Sequence, residues 1–75
     1  MKLALEEAKK ALKTGDVPIG CVVTYNGEVI AKDHNRVEEL SDPTAHAEIL
    51  AISTAGRKIG IKNLRRCEIY VTLEP

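Results

Sequence analysis

The segment that most restricts the fold is a run of seven apolar, small or β-branched residues from Ile19 to Tyr25. A continuous run of this kind, without alternating polar side chains, is typical of a strand that is covered on both faces. Such a strand must lie inside a sheet, with other structure above and below it. We therefore predict that residues 19–25 form a central strand rather than an exposed ribbon.

The next two residues, Asn26 and Gly27, predict a hairpin. This dipeptide between two apolar runs is a strong signal for a two-residue turn, and the segment from Glu28 to Lys32 supplies the returning strand. The first two strands are therefore expected to be antiparallel neighbours. The following segment, Asp33 to Pro43, is polar and irregular, which predicts a surface loop where substrate contacts can form.

Two helices are predicted on either side of this hairpin in the sequence. Residues 2–14 place apolar side chains at helical spacing on one face and charged side chains on the other, and Gly15 is expected to end this helix. A second, apolar helix is expected from Ala45 to Ala55, with Thr44 acting as a cap near its start. Gly56 is expected to close it.

A third strand is predicted from Cys67 to Leu73, where β-branched residues and alternation recur. The order is then α-β-β-α-β. Because a helix joins the second and third strands, the third strand is expected to run parallel to a neighbour in a sheet layered with helices. The predicted fold class is α/β, with residues 1–75 as part of a single domain.

The chain has 11 Lys and Arg residues and 11 Asp and Glu residues, so its formal net charge is zero. No long-range field is therefore expected to steer the chain towards nucleic acid. One dense basic cluster could face phosphates or simply form a solvated surface. Its members are Arg57, Lys58, Lys62, Arg65 and Arg66. A chain of 75 residues has a small core, so marginal stability is expected for the chain alone.

Cys21 and Cys67 are the two cysteines, and both lie in apolar strand runs. An isolated cysteine in such a run more often packs as a small hydrophobe than binds metal or forms a disulfide. The first residues lack the uninterrupted apolar stretch of a signal peptide, and no apolar run approaches the roughly 18 residues of a membrane span. A cytoplasmic protein without a membrane partner is expected.

The tripeptide His46-Ala47-Glu48 carries the chemistry that the sequence offers most directly. It places an imidazole and a carboxylate two residues apart in the first turn of the second helix. A neutral histidine can bind zinc, and a carboxylate that is not a ligand can move a proton from the bound water to a leaving amine. Alone, however, the tripeptide recurs by chance in many proteins and favours a helix-cap or packing role for His46.

The surrounding motifs change that interpretation. The block Asp42-Pro43-Thr44-Ala45-His46-Ala47-Glu48-Ile49 is followed, one strand later, by Tyr70-Val71-Thr72-Leu73-Glu74-Pro75. Together with Val17-Pro18-Ile19-Gly20 and Asn35-Arg36, these motifs resemble the tRNA adenosine deaminases of the cytidine and deoxycytidylate deaminase superfamily, zinc enzymes that carry H-x-E and then P-C-x-x-C. The resemblance covers nearly the whole chain. The start of the first strand and the end of the third favour this family over guanine deaminases, which share a similar block around the histidine.

The resemblance implies a fold, an activity and a set of site residues. The fold would be the α-β-β-α-β portion of a cytidine-deaminase-like three-layer α/β/α sandwich, and the activity would be zinc-dependent hydrolysis of adenosine to inosine at the wobble position of the tRNA anticodon loop. His46 would be a zinc ligand, Glu48 the proton shuttle and Asn35 a contact to the target nucleoside. The Ala47 amide would contact the base, Val17 would help wall the base pocket, and the enzyme would be a homodimer.

The sequence departs from the family pattern at its end, because two cysteine ligands are expected directly after Pro75. A catalytic zinc site uses three protein ligands and a water, so His46 alone cannot hold the metal. We expect the isolated chain to be inactive, its third strand to be a bare edge, and a complementary C-terminal segment to supply the cysteines. Alternative interpretations are a guanine or cytosine-type base deaminase, or a non-catalytic α/β fragment with folding or assembly roles only. For Asn35, the alternative is a simple turn residue.

Overall fold

The computed structural model describes residues 2–73, and its centre is a three-stranded sheet in the order β2-β1-β3. The strands are β1 (Ile19–Tyr25), β2 (Glu28–His34) and β3 (Glu68–Leu73). Within β1, the side chains of Cys21, Val22 and Val23 are fully buried. The prediction of a central strand covered on both faces is therefore confirmed.

The β1–β2 hairpin forms as predicted at Asn26 and Gly27. Both residues have a positive φ, 52° and 80° respectively, which a type I′ turn requires and which asparagine and glycine tolerate best. The antiparallel register pairs Tyr25 with Glu28 beside the turn and Gly20 with His34 at the far end. The hairpin thus returns the chain to the point where β1 starts.

The direction of β3 differs from the prediction, since β3 pairs with β1 in antiparallel fashion. The register runs from Ile19 opposite Leu73 to Thr24 opposite Glu68, and the strands within residues 2–73 form no parallel pair. The crossover does connect two strands that run in the same direction, β2 and β3. Because β1 lies between them, the crossover skips one position in the sheet, and the parallel strands are not neighbours.

The first helix, α1 (Lys2–Ala11), covers one face of the sheet and continues into a 3-10 turn that ends at Gly15, whose φ is 78°. Its buried positions are occupied by Glu7 and by three alanines, Ala4, Ala8 and Ala11. A Cβ atom on Gly20 of β1 would collide with the Ala4 carbonyl oxygen and lie 2.5 Å from the Ala8 nitrogen. The helix therefore rests directly on the strand backbone, and only glycine leaves room for it.

The opposite face is covered by α3 (Ala47–Ile59), whose ends differ from the predicted range of 45–55. His46, not Thr44, is the N-cap residue, and the His46 side chain makes no capping hydrogen bond. Gly56 lies inside the helix, where a glycine costs roughly 1 kcal/mol relative to alanine but does not break the backbone pattern. The helix ends instead at Gly60, which has a φ of 84°.

The principal core lies between the sheet and α3. It combines small residues of both layers: Cys21, Val23, Ala31, Ala47, Ala51 and Ala55. With α1 on the other face, the described residues form the three-layer α/β/α arrangement that the family resemblance implies. Two elements were not predicted: a short helix, α2 (Val37–Leu40), in the loop between β2 and α3, and a 3-10 helix (Ile61–Arg66) between α3 and β3.

The strand β3 is the least covered part of the sheet. Its side chains Ile69, Val71 and Leu73 are 48%, 53% and 61% exposed, and its only hydrogen-bonded neighbour among the described residues is β1. The expected bare edge is therefore present in this part of the chain.

The remaining predictions concern cysteines, charge and membranes. Cys21 is buried in the core, Cys67 is partly buried, and both are free thiols, which agrees with a packing role. All five residues of the basic cluster are exposed at the end of α3 and in the following 3-10 helix, so the structure leaves both interpretations of the cluster open. Among residues 2–73, no helix has the length and apolar character of a membrane span.

Candidate active site

Three of the predicted site residues line one cavity of about 230 Å³. These are Val17, Asn35 and His46, which lie far apart in the sequence. The other lining residues are Gly15, Asp16, Val37 and Glu38. The cavity thus lies where the loop before β1, the loop after β2 and the N-terminus of α3 meet.

The sheet explains why these loops meet. Because β1 and β2 are antiparallel, the end of β2 lies beside the start of β1, and the Asn35 amide donates to the Ile19 carbonyl over 3.1 Å. The next amide, that of Arg36, donates to the Ala45 carbonyl over 2.9 Å, which ties the loop to the residues just before α3. Backbone hydrogen bonds therefore set the spacing between the cavity walls.

Asn35 provides the cap that the sequence assigned to Thr44. Its side chain is buried, and Oδ1 accepts a hydrogen bond of 2.7 Å from the Ala47 amide, the first amide of α3. Thr44 instead bonds to Asp42, through both its amide and its hydroxyl. The role of the Ala47 amide as a base contact stays a prediction, and in this structure that amide is already bonded to Asn35.

His46 and Glu48 occupy different environments at the start of α3. His46 has an extended backbone conformation, is exposed, and borders the cavity. Glu48 is half-buried in the first helical turn and is not among the residues that line the cavity. The zinc-ligand role of His46 and the proton-shuttle role of Glu48 remain predictions from the motif.

The thiol of Cys21 has a raised pKa, and the Glu48 carboxylate is one of the causes. Burial, together with the negative charges of Glu48 and Asp33, raises the pKa of the Cys21 thiol to about 11. The negative charge of Glu48, at the start of α3, therefore affects the thiol of Cys21 in the sheet. At neutral pH, Cys21 is a protonated core residue.

Asp16 is a site residue that sequence reasoning missed. Its buried carboxylate accepts hydrogen bonds from the Glu38 amide at 2.7 Å, the Glu39 amide at 3.2 Å and the Thr14 hydroxyl at 2.7 Å. Burial alone would raise the pKa of Asp16, but these hydrogen bonds and the nearby His34 outweigh it, so the pKa is lowered. Asp16 therefore fastens α2 to the loop before β1 and fixes one wall of the cavity.

A second group that the sequence did not reveal surrounds His34. The His34 Nδ1 atom lies 3.0 Å from Glu7 Oε1, and Lys10 donates to Glu7 Oε2 over 2.7 Å. Arg36 donates to Asp33 Oδ1 over 2.7 Å. Because these partners are up to 27 residues apart, no local motif could have indicated the group.

The fit of zinc to the described residues is incomplete at His46. A catalytic zinc site requires three protein ligands, and within residues 2–73 no set of three metal-ligating groups includes His46. The one such set found there is Glu7, Asp33 and His34. Pro75, which was expected to lead into the cysteine ligands, lies outside the described residues.

Comparison with known proteins supports the family inferred from the motifs. A family model of the cytidine and deoxycytidylate deaminase zinc-binding region matches residues 1–75. The chain is 57% identical over 75 residues to a tRNA-specific adenosine deaminase of Aquifex aeolicus, covering all of this chain and 50% of that protein. It is 49% identical to a tRNA-specific adenosine deaminase of Bacillus subtilis, of which it covers 47%. The chain thus spans about half the length of the curated relatives that it matches.

Solved structures show the same relationship at the level of the fold. A structure from a study of A-to-I editing by tRNA:A34 deaminases at the wobble position of transfer RNA matches with a TM-score of 0.89 and 49% identity, over 100% of this chain and 58% of the other. A guanine deaminase from Bacillus subtilis matches with a TM-score of 0.84 and 37% identity, over 99% of this chain and 48% of the other.

Proposed function

Because this chain belongs to the cytidine and deoxycytidylate deaminase family, we propose that the protein containing it hydrolyses adenosine to inosine in tRNA. The observation that carries the proposal is the meeting of Val17, Asn35 and His46 around one cavity at the N-terminus of α3. The relatives named as tRNA-specific adenosine deaminases support the choice of substrate. We place the target adenosine at the wobble position of the anticodon loop.

In this proposal, each predicted site residue of the chain has its own role. His46 is the zinc ligand, and zinc when bound supplies a water activated for attack on the base. Glu48 would hold and move a proton at its carboxylate, between the attacking water and the leaving amine. Val17 walls the base pocket, and Asn35 contacts the target nucleoside while its Oδ1 holds the start of α3.

The remaining parts of the proposal concern what completes the enzyme. Two cysteine ligands come from a complementary segment that follows this chain in the family pattern, and the 75-residue chain alone is inactive. The completed enzyme acts in the cytoplasm as a homodimer on the tRNA anticodon loop. A target base must leave its stack to reach a cavity of this kind, and that requirement favours a flexible loop over a duplex.

A guanine deaminase is the second candidate, favoured by the TM-score of 0.84 with the Bacillus subtilis enzyme. The two activities separate by substrate size: one acts on a nucleoside held in RNA, and the other acts on a free base. Two further alternatives are a cytosine-type deaminase and a non-catalytic fragment with assembly roles. The exposed strand β3 is the feature that an assembly role would use.

The test assembles the chain with a Cys-x-x-Cys-bearing C-terminal segment and zinc, then measures base conversion by mass spectrometry. Inosine formation in an anticodon stem-loop is expected, with no conversion of free guanine or cytosine. Glu48→Ala should abolish turnover, whereas Glu28→Ala, at an exposed position of β2, should leave it unchanged. Conversion of a free base in place of the RNA would contradict the tRNA proposal, and no conversion of any substrate would favour the non-catalytic alternative.

A further inference from the structure

The group around His34 has the geometry of a metal site. The His34 Nδ1 atom lies 3.0 Å from Glu7 Oε1 and 3.7 Å from Asp33 Oδ1, and one ligand atom from each of the three residues falls within 4.8 Å of the other two. In a tetrahedral zinc site with bonds of about 2.0–2.2 Å, neighbouring ligand atoms are roughly 3.4 Å apart. The spacing of His34 Nδ1 from Glu7 Oε1 is close to that value, and the ligand atoms of the whole group lie within 4.8 Å of one another.

The atoms that would face the metal are available, because outer partners hold the opposite atoms of the same groups. Lys10 holds Glu7 Oε2, which leaves Oε1 facing His34. Arg36 and the His34 amide both donate to Asp33 Oδ1, and Oδ2 has no hydrogen bond among the described residues. Proteins commonly support metal-binding carboxylates by outer hydrogen bonds of this type.

The imidazole also has an acidic group on its far side. His34 Nε2 lies 3.9 Å from Glu39 Oε1, so a small movement of this half-exposed glutamate would form the carboxylate–histidine pair found behind many metal-ligating histidines. Such a pair fixes the tautomer that leaves Nδ1 free to bind a cation. The side chains of Glu7 and His34 are only 4% and 7% exposed, and Asp33, at 16%, provides the opening to solvent.

The charge of the group favours a divalent cation. Four carboxylates lie near His34, those of Glu7, Asp16, Asp33 and Glu39, and two cations lie among them, Lys10 and Arg36. The carboxylates thus outnumber these two cations by two. Buried charge without compensation is costly, and one divalent ion would balance it.

We propose that Glu7, Asp33 and His34 bind a divalent transition-metal ion, with Zn²⁺ as the first candidate, at a site separate from His46. A donor set of one imidazole and two carboxylates suits zinc and its neighbours in the first transition row. The ion would join α1 to the end of β2, directly before Asn35. It would therefore stabilise the wall of the cavity without taking part in the chemistry at His46.

The test is a titration of the chelator-treated 75-residue chain with Zn²⁺ by calorimetry, repeated with Co²⁺ to observe visible absorption. We expect one equivalent to bind, and His34→Ala to weaken binding at least tenfold. His46→Ala and Glu28→Gln, the controls outside the group, should bind as the unsubstituted chain does. Because Asp33 is partly exposed, Asp33→Asn is a second variant expected to keep the fold, checked by circular dichroism, and to weaken binding by about 10-fold or more.

Three outcomes would overturn the inference: no stoichiometric binding, undiminished binding by Asp33→Asn and His34→Ala, or loss of binding by His46→Ala alone. The last result would assign the ion to the predicted catalytic histidine. None of these outcomes bears on deamination, because that proposal is tested by base conversion in the assembled protein. The two ideas can therefore fail separately.

Discussion

At the scale of single residues, Asn35 links the stability of the fold to the geometry of the candidate site. Its Oδ1 atom holds the first amide of α3, and the same side chain lines the cavity beside His46. The residue comes directly after β2, so it fixes the start of α3 relative to the sheet. A change here should affect both the helix and the cavity.

Asn35→Ala should lower the free energy of unfolding by about 2 kcal/mol, because a cap is lost and a buried amide is left without a partner. Urea denaturation followed by circular dichroism measures the change. Thr44→Ala is the matched control: Thr44 is exposed and its hydroxyl bonds only to Asp42, so the expected loss is below about 0.5 kcal/mol. Equal losses in the two variants would show that Asn35 is not the cap.

A second residue-scale prediction concerns Glu7 and acid. Burial alone would raise the pKa of Glu7, but hydrogen bonds from Lys10 and His34, and their charges, lower it below its ordinary value of 4.5. The unfolded chain therefore binds a proton at higher pH than the folded chain. Glu7 contributes full stability above about pH 4.5, and this contribution is lost as the pH falls towards the lower pKa of the folded state.

Urea unfolding between pH 6 and pH 3 (roughly the range in which carboxyl groups titrate) tests this expectation. The unsubstituted chain should lose stability more steeply than Glu7→Gln over the acid half of that range. Glu28→Gln, which removes an exposed carboxylate on β2, should follow the unsubstituted chain. Parallel curves for all three proteins would mean that Glu7 has no lowered pKa in the folded state.

At the scale of secondary-structure elements, the contact between α1 and β1 depends on a missing side chain. The backbone of α1 lies against Gly20, where a Cβ would collide with the Ala4 carbonyl oxygen. Gly56, by contrast, lies within α3, and its Cβ would meet only Leu64 Cδ1 at 3.5 Å. The same substitution should therefore have opposite effects at these two positions.

Gly20→Ala should destabilise the chain by about 2 kcal/mol or more, because the atoms in the way belong to helix backbone and cannot rotate aside. Gly56→Ala should stabilise it by roughly 0.5–1 kcal/mol, because alanine is the better helix former. Thermal unfolding of both variants measures the difference. A tolerated Gly20→Ala would contradict the close packing of α1 on β1.

The elements also show which features a sequence can predict. The hairpin at Asn26-Gly27 was predictable because its signal is local, and the burial of β1 followed from its composition. The start of α3 was not, because its cap comes from Asn35, 12 residues earlier. Similarly, α2 is held by Asp16, which lies 22 residues before Glu38 in the sequence. The pairing of β3 with β1 was not predictable either, because the sequence does not show that β1 lies between β2 and β3, the two strands that the crossover joins.

The same distinction between local signals and contacts of distant residues applies to the candidate site. His46 and Glu48 were found through a motif, and Asn35 and Val17 through a family resemblance. The structure brings Val17, Asn35 and His46 to one cavity, while the roles of all the predicted site residues remain predictions. Asp16 and the group around His34 have no local signal, because their partners come together only when α1, the hairpin and α2 pack.

At the scale of the whole molecule, the exposed edge β3 determines how the chain behaves on its own. An edge strand with exposed apolar side chains is a template for pairing with another chain. Three large apolar side chains of β3 are about half exposed or more. The 75-residue chain is therefore expected to self-associate until this edge is paired.

Val71→Lys should reduce that self-association, because a charge in the middle of an edge strand opposes pairing with a second edge. Sedimentation velocity over a concentration series measures the effect. Leu12→Lys adds the same charge at a residue that is 54% exposed and lies off the sheet, so it should leave self-association unchanged. A similar reduction in both variants would assign the effect to net charge rather than to the β3 edge.

The most direct test of the central claim measures zinc content and inosine formation together in the protein assembled with its complementary segment. His46→Ala should lose one zinc relative to the unsubstituted protein and all turnover. Glu48→Ala should retain that zinc and still lose turnover, because the carboxylate moves a proton and does not hold the metal. Equal zinc loss in the two variants, or turnover by either, would contradict the roles proposed for His46 and Glu48.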